Sequence, residues 1–252
     1  LIMEIRISWG EQQFRADLSA PLDLTIPLVP GQLGPNCFYA PPFEASPLRA
    51  GDFVGSIAEG SPVNFFNMRI NPHGNGTHTE CVGHIKSGDF FIGQSLRSFH
   101  FLSQLISVYP EKKEGGDRVI DVSHLQQHWD PDPEAAALII RTLPNPDEKK
   151  SHIYSGTNPP YFSPEAIDFI VERGITHLLV DLPSVDPESD GGLLAAHKSF
   201  FNFSGPPRTE STLSELLYIP NHIKDGKYLL QLSVLRLELD VSPSRVVVYQ
   251  LK

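Results

Sequence analysis

Eight short stretches, MEIRISW, FRADLS, SVYP, DRVIDVS, ALIIRTL, HLLVDL, YLLQLSVLRLEL and SRVVVYQL, are β-branched or leucine-rich, and each is bounded by Pro, Gly, Asp or Ser. Most of these apolar runs are stopped before they reach the roughly 10–12 residues that favour a helix, so the pattern predicts a chain built mainly of strands. The clearest helix is SPEAIDFIVERG. Ser163 suits an N-cap and Pro164 the first helical position; Ala166, Ile167, Ile170 and Val171 form one apolar stripe, and Gly174 supplies the stop. The strand HLLVDL follows at once, an α-to-β step. Further helices are predicted through SFHFLSQL and STLSELLYI, with a short one through VSHLQQHW. Strands outnumber helices, no period repeats and no linker divides the chain. The reading is a single α/β domain over residues 1–252 with a largely β core. Two Pro- and Gly-rich stretches, Val29 to Val63 and NPDEKKSHIYSGTNPPYF, read as surface loops, the first as an excursion over the active face.

A length of 252 residues is enough to bury a substantial core. The net charge of −10 and the lack of a basic stripe argue against nucleic acid, since phosphate binding needs concentrated Lys and Arg. With only Cys37 and Cys81 there is no disulfide framework, which fits a reducing compartment. LIMEIRISWGEQQF turns polar without an apolar signal core, and no apolar run approaches the roughly 20 residues of a bilayer span. A soluble, cytoplasmic protein with no membrane partner is expected.

Chemistry concentrates in NPHGNGTHTECVGHI, residues 71 to 85. Side chains on a strand alternate with period 2, so His78, Glu80 and His84 would share one face. Two imidazoles and a carboxylate on one face suit Zn²⁺ or Mn²⁺. His73 has the wrong parity, but a bulge at Gly74-Asn75-Gly76 would bring it back. Solvated histidines in a glycine-rich loop are the plainer alternative; three of them with an interleaved acid favour a site. The spacing is not that of the helical H-E-x-x-H motif.

GTHTECVGH resembles the signature H-x-G-T-H-x-D-x-P-x-H of the cyclase-like metal-dependent hydrolases, which include bacterial kynurenine formamidases and isatin hydrolases. The resemblance continues through ADLSAPLDL, LIIRT, YFSPEAIDFIVERGITHLLVDLPSVD, AAHKSFF and RTESTLSELL, in family order. It implies a swivelling β/β/α-type single domain, with the site near a subunit interface of a homodimer or homotetramer. It also implies His73, His78 and Glu80 as ligands of a first metal, His197 and Glu210 as ligands of a second, and His84 as general acid/base. Three positions depart from the pattern: His73 lies five residues before His78 rather than four, Glu80 stands for Asp, and Val82 for Pro. Leu28-Val29-Pro30-Gly31 stands where kynurenine formamidases carry W-P-G, so the resemblance does not extend to kynurenine specificity.

Other candidates read as support. Cys81 has odd parity and is expected to be a buried, inert thiol. Asp181, Ser184 and Asp186 close the strand HLLVDL and suit hydrogen bonding around a site. His124 and His128 read as surface or capping residues, FFNF at 200–203 as core, and Arg141 and Arg208 as structural partners. The expected function is hydrolysis of a small amide, aryl formamide or lactam C–N bond, with water activated by one or two divalent ions, zinc first and manganese second. The alternative is an inactive metal- or small-molecule-binding protein on the same scaffold.

Overall fold

The computed structural model describes residues 3–31 and 33–252. Seven strands form a barrel in the order Gly226–Val234, His100–Val108, Ala137–Thr142, His177–Val180, Thr212–Glu215, His78–Glu80 and Val241–Gln250, and the last pairs with the first to close the ring. The run from His100–Val108 to Thr212–Glu215 is parallel, and the remaining joints are antiparallel. Leu22–Asp23 adds to the flank of Val241–Gln250.

The parallel strands show why their sequences run apolar rather than alternating. Ala137–Thr142 and His177–Val180 are buried at every position, because both faces are covered. Leu138, Ile140, Leu178 and Val180 pack outward beneath the helices Val122–His128, Pro164–Glu172 and Ala195–Phe200. Ala137, Ile139 and Leu179 point the other way and meet Leu105, Leu230, Leu232, Val246 and Val248 in the barrel interior. On the far side, the hairpin of Glu4–Trp9 and Gln12–Asp17 lays Ile5, Ile7 and Ala16 over Leu229, Val247 and Tyr249.

The Pro164–Glu172 helix begins as its sequence dictates. Ser163 Oγ accepts from the Ala166 N–H at 3.2 Å, Pro164 opens the first turn, and Gly174 leaves it at φ 82°. Val122–His128 is also helical, with Asp121 and His124 making a capping box. Two expected helices are strands instead. SFHFLSQL belongs to His100–Val108, paired on both edges, and STLSELLYI contains Thr212–Glu215, likewise paired on both edges. Pairing and burial inside the barrel override whatever helical pattern these segments carry locally. Among the described residues, no helix is long and apolar enough to cross a membrane.

The excursion after Val29 carries two small antiparallel ribbons, Glu44–Pro47 with Phe66–Arg69 and Arg49–Ala50 with Phe53–Val54. Core and excursion should respond differently to truncation. Ile139→Ala, in the barrel interior, is expected to lower unfolding free energy by about 2–5 kcal/mol in urea titration. Leu33→Ala, at a position 71% exposed, should stay within about 0.5 kcal/mol of the parent.

Candidate metal centre

The stretch from Asn71 to His84 reaches its geometry by two tight turns flanking a short strand. Asn71 Oδ1 accepts from the Gly74 N–H at 3.2 Å, and Pro72 starts a single helical turn, Pro72–Asn75. This turn, not a β-bulge, brings His73 beside the strand. Gly74 permits it, since a Cβ there would come within 2.4 Å of Ala40 Cβ. His78–Glu80 is then fully buried and aims His78 and Glu80 to one side. The strand stops at Glu80. His84 returns on the turn Val82–His84 rather than by strand parity, which leaves its Nδ1 3.7 Å from Glu80 Oε2.

Two further elements reach the same point. Asp186 caps the Ala195–Phe200 helix: Oδ1 accepts from the Ala196 N–H at 2.7 Å and Oδ2 from the His197 N–H at 3.1 Å. Asp186 Oδ2 also accepts from His197 Nδ1 at 2.5 Å, which turns Nε2 toward Glu80 Oε1, 3.0 Å away. Thr212–Glu215 ends with Glu215 directly opposite His78 in the ladder. Glu215 Oε2 is 3.3 Å from His78 Nε2, and Oε1 accepts from the Val185 N–H at 3.0 Å.

Of the six residues expected at the site, five converge: His73, His78, Glu80, His84 and His197. Glu210 does not. It precedes the strand, its side chain is 69% exposed, and its neighbour is Arg97, 3.6 Å away. Glu215 takes the place expected for it. Reading STLSELLYI as a helix hides the signal, because a glutamate at the carboxyl end of a parallel strand lies where α/β folds place their sites. Sequence reasoning also misses Asp240. Its Oδ2 lies 3.3 Å from His73 Nε2 and 3.4 Å from His84 Nδ1, and a lone aspartate in LELDVSP gives no local hint of that.

The donor set fits a divalent cation. His78 Nε2, His197 Nε2 and both Glu80 oxygens are buried without a hydrogen-bond partner among the described residues, although each has an opposite group 3.0–3.3 Å away. Leaving such groups unmatched costs about 1–3 kcal/mol each, and more for a carboxylate. Donors that each sit about 2.0–2.2 Å from one ion lie roughly 3–3.5 Å from one another, and the His73–Glu80, His78–Glu215 and His197–Glu80 pairs have that spacing. His73, His78 and Glu80 form one group whose ligand atoms lie within 4.8 Å of one another, Glu80, His84 and His197 a second, and His73, His84 and Asp240 a third.

Electrostatics describe the same cluster without an ion. Burial works against a charged His73, but the Asp240 and Glu80 carboxylates outweigh it and push its pKa up to about 10. Burial likewise opposes ionised Glu80, yet His84 and His197 hold it well below the usual carboxylate range. His197 is raised in turn by Glu80 and Asp186, against burial, and Asp240 is lowered by its bonds to His73 and His84. Imidazoles bind a cation only when deprotonated, so a cation here would compete with protons for these rings.

The remaining candidates are structural. Cys81 is fully buried, its Sγ 3.6 Å from the Phe90 carbonyl, and burial raises its pKa. Asp181 accepts from the Thr142 N–H and hydroxyl and from Lys149 Nζ. Ser184 Oγ accepts from the Asp186 N–H. Arg141 is pinned by Ser107, two carbonyls and Asp225, and Arg208 by the Phe200 and Ile175 carbonyls. A cavity of about 320 Å³ opens onto the cluster, its lining shared between Phe38, Leu194, Pro187 and Glu188 and the cluster residues His73, His84, His197 and Glu215.

The two glutamates of RTESTLSELL should separate cleanly. Glu215→Gln is expected to weaken Zn²⁺ binding, measured by equilibrium dialysis, at least tenfold. Glu210→Ala should leave it unchanged.

The Cyclase family model matches residues 16–187. A kynurenine formamidase of Bacillus anthracis is 28% identical over 242 residues, covering 92% of this chain and 95% of the relative. One from Bacillus cereus (strain ZK / E33L) is 29% identical over 245 residues with the same coverage. Among solved structures, a potential metal-dependent hydrolase with cyclase activity superposes with a TM-score of 0.64 at 14% identity, covering 92% of this chain and 98% of the other. An isatin hydrolase bound to the product analogue thioisatinate gives 0.61 at 16% identity, with 92% of each chain covered. The fold is thus shared with these solved structures, and the chain belongs to the Cyclase family.

Proposed function

We propose that this protein is a metal-dependent hydrolase of a small aryl formamide or lactam C–N bond. The observation that carries the reading is the convergence of three imidazoles and two carboxylates, from four separate elements, on one buried point where the facing atoms of His78, Glu80 and His197 are unmatched. The kynurenine formamidases and isatin hydrolases among the relatives support the substrate class. His73, His78, Glu80, His197 and Glu215 would hold the ion or ions, zinc before manganese because imidazole predominates. Glu80 directs Oε2 toward His73 and Oε1 toward His197, an arrangement suited to sharing two ions. When bound, such a cation supplies Lewis-acid polarisation of a substrate carbonyl and of the attacking water.

The chain's own groups do the rest. His84 stands at the cavity wall with a side chain 29% exposed, within reach of both the cluster and a bound substrate. It takes the proton of the attacking water and returns it to the departing nitrogen. Phe38 and Leu194 give the cavity apolar walls for an aromatic ring, and its size fits one small bicyclic substrate. Metal-loaded protein should hydrolyse members of a panel of aryl formamides and cyclic amides, isatin included. His84→Ala should retain stoichiometric metal and lose about 10²–10⁴-fold in kcat. Full activity in that variant would remove His84 from the reaction, and metal binding without turnover on the whole panel would make the protein a binder.

A homo-oligomer is part of the same proposal. Phe53, Ile57, Phe65, Phe66 and Met68 stand exposed on the excursion, and every residue of Phe66–Arg69 faces solvent. A two-stranded ribbon of this kind is marginal alone, and exposed apolar side chains on it suit an interface. A second copy would cover it. Paired charges at its centre, Phe66→Glu with Met68→Glu, are expected to shift the protein to monomer in light scattering while the barrel stays folded.

A further inference from the structure

Three histidines of the cluster differ in which ring nitrogen is already engaged. His78 Nδ1 is 2.9 Å from the Gly76 carbonyl, so it must donate there and leave Nε2 as the bare donor atom. His197 Nδ1 is held by Asp186, so Nε2 is the ring nitrogen left to face an ion. Both of those Nε2 atoms are buried and unmatched. His73 is reversed. Its Nε2 lies 3.3 Å from Asp240 Oδ2 in hydrogen-bond geometry, while its Nδ1 faces Glu80 Oε2 at 3.2 Å. Both facing groups are carboxylates, but only the Asp240 contact has hydrogen-bond geometry, so Nε2 is the donating edge and Nδ1 the edge turned toward Glu80.

The backbone that carries Asp240 is itself fixed. The Cys81 N–H donates to the Asp240 carbonyl at 3.0 Å, and the Ile92 N–H to the neighbouring Leu239 carbonyl at 2.8 Å. Gly83 makes room, since a Cβ there would stand 3.1 Å from Asp240 Cβ and 2.4 Å from the Phe90 carbonyl oxygen. The same Oδ2 lies 3.4 Å from His84 Nδ1, and the His73 and His84 rings have centroids 4.4 Å apart. One oxygen therefore steadies both rings in the cavity lining.

We infer that Asp240 is a positioning residue that makes His73 bind the cation through Nδ1, opposite to His78 and His197, and that turns the Nε2 edge of His84 toward substrate. The inference rests on the metal-centre reading above. Outer carboxylates that orient a ligating imidazole are typically worth 10–100-fold in metal affinity. Asp240→Asn is nearly isosteric and keeps the backbone bonds, so its fold should be intact, which a melting curve checks. Asp240→Glu serves as the conservative rescue.

The test uses full-length protein carrying isotopically labelled histidine, loaded with an NMR-active cadmium isotope. The His73 signals are assigned by their loss in His73→Gln. The expected result is cadmium–nitrogen coupling at Nδ1 of His73 and at Nε2 of His78 and His197. Asp240→Asn should bind Zn²⁺ 10–100-fold more weakly, and Asp240→Glu should recover part of that loss. Coupling at His73 Nε2, or a direct cadmium contact from Asp240, would overturn the inference while leaving the metal centre standing. Unchanged affinity in Asp240→Asn would overturn it equally. If the parent protein binds neither Zn²⁺ nor Cd²⁺, the metal centre itself falls and the inference with it.

Discussion

A fully buried glutamate organises this site. Glu80 sits on a three-residue strand at the seam where Thr212–Glu215 and Val241–Gln250 both pair with it, and neither of its oxygens finds a hydrogen bond among the described residues. An ionised carboxylate cannot stay there unmatched, because its desolvation is worth several kcal/mol. Positive charge must be brought to it, either as protonated His73 and His197 or as a cation in their place. The surrounding architecture delivers that charge. One helical turn carries His73, a capped helix carries His197, the turn after the strand carries His84, and Glu215 restores the count of negative ligands from across the ladder.

The barrel explains how residues so distant in sequence meet. Its parallel strands end on one side, so Asp181, Asp186 and Glu215 emerge together where the chain leaves the sheet. Asp181 is spent on Thr142 and Lys149, and Asp186 on the first turn of the Ala195–Phe200 helix. Only Glu215 is left facing His78. The same logic places Phe38 and Leu194, from two loops, over the opening. Paired strands, a capped helix and tight turns hold the donor atoms, and the loops supply the walls that meet substrate.

Much of this is legible in the amino-acid sequence, and the gaps have physical causes. The Pro164–Glu172 helix is readable to its cap because capping is local chemistry: Ser163, Pro164 and Gly174 each act within a few residues. His78 and Glu80 are readable because strand alternation is local too. His73 and His84 are reached for partly wrong reasons, since the bulge and the extended strand expected of them are both tight turns. Glu215 and Asp240 depend on ladder register and barrel closure, which no short window contains. Two glutamates five residues apart look alike in RTESTLSELL; only the ladder shows that Glu215 faces His78 while Glu210 lies beside Arg97.

Two departures from the family signature offset one another. Glu80 stands where the pattern has Asp, so its carboxylate extends one methylene further into the site. His73 arrives one residue early, carried on the helical turn Pro72–Asn75, and meets that carboxylate with Nδ1. Nδ1 is the ring nitrogen nearer the backbone, so the imidazole reaches less far by roughly the distance that the glutamate reaches more. A longer acid with the family's usual histidine would crowd the point where the donors meet. The shifted histidine with a shorter acid would leave a gap. Asp240, by engaging Nε2, is what makes the combination self-consistent: it supplies the outward partner that the reversed ring requires.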